Sequence, residues 1–131
     1  MGYNTGMLEL EERIAVDHVA RAAAKRLGSI GISLPDVQSV TSYITAHPDT
    51  GPLLEQLASK LSVSFGNSAD VTLEVYCDPE IDDRYLTFYL RKPDLSPSDL
   101  ELIDHISEEF SPGLATTSGW VVVIPDFRPS R

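Results

Sequence analysis

The chain has 131 residues, 42% of them hydrophobic, a formal charge of −10 and a single cysteine. That length can bury a core without disulfides or a structural metal, and one cysteine excludes both an intrachain disulfide and a cysteine zinc site. No stretch reads as a signal peptide or a bilayer span, and an acidic surface repels phosphate backbones. The expectation is a soluble, cytoplasmic protein with no membrane and no direct nucleic-acid partner.

In chain order, residues 1–6 read as a frayed terminus. From Met7 to Leu27 the pattern is helical: Glu9, Arg13, Asp17, Arg21 and Lys25 recur at i,i+4 as a charged stripe. Leu8, Ala15, Val19 and Ala22 form the expected buried side, narrow and built of small residues, so that another helix can approach closely. Leu10 and Ile14 sit towards the charged side as minor core contacts. Gly28 is the expected stop, and residues 28–31 a linker. Two glycines three apart with no Gly-Lys-Ser/Thr after them make no phosphate loop.

A second helix is expected from near Pro35, presenting Val37, Val40 and Ile44, and ending at His47-Pro48 because the residue before proline is pushed out of the helical region. Asp49 or Thr50 can cap a third helix with Leu54, Leu57, Ala58, Leu61 and Phe65 on one face and Gly66 as its terminator.

Val71 to Arg91 then reads as a β-hairpin. Val71, Leu73, Val75 and Cys77 alternate with Thr72, Glu74 and Tyr76, and Leu86, Phe88 and Leu90 alternate with Tyr85, Thr87 and Tyr89. Between them lies Asp78-Pro79-Glu80-Ile81-Asp82-Asp83, with the proline and aspartates that turns use. Ser96-Pro97-Ser98-Asp99 is a helix start, Leu100, Ile103, Ile106 and Phe110 its buried stripe, and Pro112-Gly113 its expected stop. Trp120 to Ile124 is an unbroken apolar run that reads as a strand buried on both faces. Pro125 closes it and leaves a short basic tail through Arg128 and Arg131.

The expected fold is therefore α+β: three N-terminal helices, then a β-β-α-β unit with a small, mainly antiparallel sheet. A right-handed crossover over the last helix would set the third strand beside the first, in order 2-1-3. One helix cannot cover two apolar sheet faces, so the N-terminal helices or a second copy of the chain must cover the other. No repeat argues for two independent domains across residues 1–131.

The segment Leu73 to Arg91, the Gly119-Trp120-Val121-Val122-Val123 strand and the Phe127-Arg128-Pro129 ending resemble a group of uncharacterised bacterial proteins with a similar acidic hairpin, Gly-Trp strand and "FRP" close. The resemblance covers about the last two thirds of the chain and carries no established activity. Small acidic bacterial proteins of this kind are similar to antitoxins, the neutralising half of two-gene pairs.

The chemistry on offer is mostly electrostatic. Residues 1–66 carry seven acids against five bases, and residues 67–131 thirteen against five, so the excess sits in the C-terminal half. Asp78, Glu80, Asp82 and Asp83 place four carboxylates in six residues. A solvated turn explains them first; functionally they offer bidentate acceptors to a basic protein partner, with Arg128 and Arg131 of the tail as further contact residues. The alternative is a hydrolase metal site of Asp78, Glu80, Asp82, Asp83 and Asp126, although the spacing does not match the calcium loop.

His18, His47 and His105 lack paired-ligand spacing, and Cys77, in phase with Leu73 and Val75, reads as a buried thiol. Tyr76, Tyr85 and Tyr89 can line one sheet face with Trp120, as core or as an interface patch. The reading favoured by the sequence is a non-catalytic protein-binding module without a cofactor.

Overall fold

A computed structural model of the chain describes residues 5–80 and 83–127, without the side chains of residues 5–14 and 16. The expectations for Met1, Leu8, Leu10, Ile14, Asp82, Arg128 and Arg131 therefore lie outside the described residues. The architecture is α+β, in the order α1 (Thr5–Ile30), α2 (Val37–Ala46), α3 (Gly51–Phe65), β1 (Asp70–Asp78), β2 (Asp83–Arg91), α4 (Pro97–Leu114) and β3 (Val121–Asp126). Two short 3-10 turns not foreseen from the sequence, Pro48–Thr50 and Gly66–Ser68, flank α3.

The helix ends follow local chemistry. α1 runs past Gly28 and closes at Gly31, whose φ of 109° lets Gly31 N–H bond to Gly28 C=O and Ile32 N–H to Leu27 C=O, a Schellman closure. Asp36 caps α2 by accepting from Ser39 N–H at 3.2 Å. Gly66, with φ of 56°, ends α3. Ser96 and Asp99 cap α4 reciprocally: Ser96 Oγ accepts from Asp99 N–H, and Asp99 Oδ2 accepts from Ser96 N–H at 2.9 Å.

Several boundaries and faces differ from expectation. α4 continues through Pro112 to Leu114, because a proline in the last turn forfeits only one hydrogen bond while Leu114 gains a place in the core. The buried stripe of α1 is Ala20, Ala23, Ala24 and Leu27, rotated from the expected one, and Val19 is 59% exposed. The stripe is still mostly alanine, and α1 packs closely on α2 and α3 through it. In α2, Tyr43 is buried and Val37 is exposed.

The sheet order is β1-β2-β3, with β1 antiparallel and β3 parallel to β2. The expected order 2-1-3 is thus corrected, for a reason visible in β2. Leu86, Phe88 and Leu90 are fully buried on one face, and on the other Thr87 is buried between half-buried Tyr85 and Tyr89, so β2 takes the centre. Each of its large apolar side chains contributes about 2 kcal/mol by leaving water. β3 is an edge strand rather than one buried on both faces: Val121 is buried, Val122 and Val123 are half-buried and Ile124 is exposed. It includes Pro125, which edge strands tolerate. The first part of β1 is flanked by Ser33, which bridges to Thr72 through Ser33 N–H to Val71 C=O and Leu73 N–H to Ser33 C=O.

The core lies on one side of this sheet. Val71, Leu73, Leu86, Phe88, Leu90 and Val121 form its floor, and buried residues of α1, α2, α3 and α4 join it in one cluster. The N-terminal helices therefore share the face that α4 covers and do not cover the second one. That second face holds Thr72, Glu74 and Tyr76 of β1, Tyr85, Thr87 and Tyr89 of β2, and Val122 and Ile124 of β3, none of which belongs to the core cluster.

Candidate functional site: an aromatic and acidic patch on the open sheet face

The period of two that buries Leu86, Phe88 and Leu90 necessarily turns Tyr85, Thr87 and Tyr89 to the opposite side. The antiparallel register sets Tyr76 opposite Tyr85, Glu74 opposite Thr87 and Thr72 opposite Tyr89. The Tyr76 and Tyr85 rings stack with centroids 5.1 Å apart and planes tilted by 33°. Tyr76 remains 41% exposed, and across the sheet Ile124 is 39% exposed. At the patch centre the Thr87 side chain is fully enclosed, and its hydroxyl finds no hydrogen-bond partner among the described residues.

The acidic turn borders this patch. Asp78 and Asp83 are cross-strand partners that close the hairpin, one step beyond the Tyr76–Tyr85 pair on the same face by alternation. Asp78 Oδ1 accepts from Glu80 N–H at 2.9 Å, so this carboxylate also folds the turn. Burial first, then the proximity of Tyr76, Tyr89, Asp78 and Asp83, pushes the Tyr85 phenol above its ordinary pKa. Tyr76, Asp78 and Asp83 thus border the Tyr85 ring. Ring faces beside carboxylates suit a guanidinium or ammonium group, which gains from both.

Asp126 does not join these acids. It lies at the other end of the sheet, opposite Arg91, roughly 26 Å along β2 from Asp83 at 3.3 Å per residue. It is buried there, and Arg91 Nε donates to its Oδ2 at 2.6 Å. Among the described residues, no three His, Cys, Asp or Glu side chains are grouped so as to hold a metal ion.

Cys77 is exposed rather than buried, and Arg84 is its cross-strand partner. The thiol and Arg84 line a groove of about 650 Å³ with Asp36, Ser39, Tyr43 and His47.

A second polar cluster was not foreseen. His47 Nδ1 lies 3.0 Å from Ser118 Oγ, and Ser118 donates its hydroxyl to Asp49 Oδ1 at 2.8 Å and its N–H to Asp49 Oδ2 at 2.9 Å. These are the residue types of a hydrolytic triad in the wrong order. In a triad the histidine sits between carboxylate and serine; here the serine does, and its proton is already given to Asp49. The bonds from Ser118 hold the Asp49 carboxyl below its ordinary pKa.

Beside this cluster, Thr50 Oγ1 accepts from Gly119 N–H at 3.2 Å and Tyr43 OH from Trp120 N–H at 3.0 Å. A Cβ on Gly119 would stand 2.5 Å from Thr50 Oγ1, so glycine is required. The cluster is a clamp between the α2–α3 connection and the loop before β3. Its halves are about seventy residues apart in sequence, and only the pairing of Asp49-Thr50 with Ser118-Gly119, two short polar stretches beside helix and strand ends, could have hinted at it.

No protein-family model, no curated protein and no solved structure matches the chain.

Proposed function

We propose that the protein is a non-catalytic binding module whose open sheet face takes a basic segment of another protein. The observation that carries this reading is the stacked Tyr76–Tyr85 pair with Asp78 and Asp83 beside it on a face outside the core. Aromatic rings with a polar tip are the residues interfaces favour, and the adjoining carboxylates select for positive charge. The −10 net charge draws such a partner from a distance.

The test is a fluorescence-anisotropy titration with a labelled Arg/Lys-rich peptide. Replacing Asp78 and Asp83 together by Asn weakens binding by about tenfold, the scale of one lost charge-assisted hydrogen bond. Tyr85→Leu weakens it by about threefold through the lost cation–π contact. Unchanged affinity in the double Asn variant, or equal affinity for a neutral peptide, contradicts the proposal.

A further inference from the structure

Among the described residues, one edge of β3 is unused. Leu86 N–H bonds to Trp120 C=O at 3.0 Å, and in a parallel ladder the same phase directs the N–H and C=O groups of Val122 and Ile124 to β2. The backbone groups of Val121 and Val123, and the Pro125 carbonyl, therefore point away from the sheet. Among the described residues β3 pairs with β2 alone.

Both sides of this edge are prepared for side chains. On the core side, a groove of about 260 Å³ separates β3 from α4, lined by Leu57, Ser107, Phe110, Ser111, Leu114 and Val123. Trp120, about two fifths exposed, also lines this groove, and on the open side stands Ile124, exposed to the same extent. Proteins ordinarily blunt or cover a strand edge flanked by this much apolar surface.

We infer that the β3 edge accepts an extended, basic strand from a partner protein, which lengthens the sheet by one strand and seats alternate side chains in the α4 groove. The inference rests on the binding-module reading above and specifies how the partner docks. Charge decides the occupant. α4 carries Asp99, Glu101, Asp104, Glu108 and Glu109 and no lysine or arginine; Asp99 pairs with Lys92 and Glu109 with Lys60, and helical spacing puts Asp104 and Glu108 on the flank next to Ser107 and Ser111. A second copy pairing by the same edge would bring two such helices together, whereas lysines at the alternate positions of an incoming strand that face α4 lay their stems along the groove and reach Asp104 and Glu108.

The probe is an extended peptide alternating valine and lysine, compared with the same peptide N-methylated on alternate residues, which removes the N–H donors of one edge. Amide exchange is followed in the full chain. Binding slows exchange of the Val123 amide by about tenfold, leaves that of Ile124 unchanged, and weakens by about tenfold on N-methylation. Val123→Pro, which removes the outward donor and spares the β2 ladder, weakens binding of the unmethylated peptide by about tenfold.

Salt-sensitive binding that leaves Val123 exchange unaltered, or that tolerates N-methylation, overturns strand addition while the basic-partner reading stands. Absence of binding by either peptide at low salt overturns both. Protection of Val123 that rises with protein concentration and without peptide overturns the choice of occupant in favour of a second copy.

Discussion

Thr87 shows how a single residue records what its surface is for. Its side chain is enclosed by its neighbours, yet its hydroxyl is unsatisfied among the described residues, a state that costs about 1–3 kcal/mol. Thr87→Val keeps the shape and removes the orphan, and is expected to raise stability by about 1 kcal/mol in urea titrations. A loss of that size instead would mean the hydroxyl is bonded. Cys77 makes a second residue-scale prediction. Being exposed, it reacts with a thiol reagent in the native protein without denaturant; labelling that requires unfolding would contradict its position. The tyrosine face was legible from alternation alone, since Tyr76, Tyr85 and Tyr89 share a phase. The exposure of Cys77 was not, because phase gives the face of a strand and not how far that face is covered.

At the scale of elements, helix starts were easier to read than helix ends. Ser96-Pro97-Ser98-Asp99 announces its cap because the bonds are local, and all five expected residues of the α3 stripe are buried. α1 ends at Ile30 rather than Gly28 and α4 at Leu114 rather than Pro112, since packing of Ile30 against the core and burial of Leu114 within it carry both helices past their first glycine or proline. The α4 cap also fixes a pH response. Bonds from Ser96 N–H, then Lys92, hold the Asp99 carboxyl below its ordinary pKa.

A carboxyl depressed in the folded state contributes stability above its unfolded pKa, about 3.9, and that contribution is lost as pH falls through the lower folded value. Asp99→Asn is therefore expected to flatten the acid side of the stability curve below about pH 4. Ser96→Ala is expected to cost about 1 kcal/mol near neutrality. Urea midpoints over a pH series check both, and an acid limb in Asp99→Asn as steep as in the unaltered chain would contradict the first.

At the scale of the whole molecule, the class of fold followed from periodicity, and the sheet order did not. The apolar character of β2 on both faces was visible in Leu86, Phe88 and Leu90 interleaved with Tyr85, Thr87 and Tyr89, and it marks a central strand. The apolar run at Trp120 to Ile124 pointed the other way, towards a second buried strand, because hydrophobicity alone does not distinguish a strand buried on both faces from an edge strand. The result is a sheet with all four helices contributing to a core on one side, an aromatic and acidic surface on the other and, among the described residues, an unpaired edge at β3. Among the described residues no helix is long and apolar enough to cross a membrane, so the exposed apolar groups on β3 are not part of a helical span.

The central claim is that this surface binds a basic protein segment through charge. Calorimetric titration of a lysine-rich peptide and its glutamate-substituted counterpart, at about 50 mM and about 500 mM salt, tests it most directly. The account predicts binding of the lysine peptide that weakens at least about tenfold at the higher salt, and none of the glutamate peptide. Equal binding of both peptides, or affinity indifferent to salt, would contradict it.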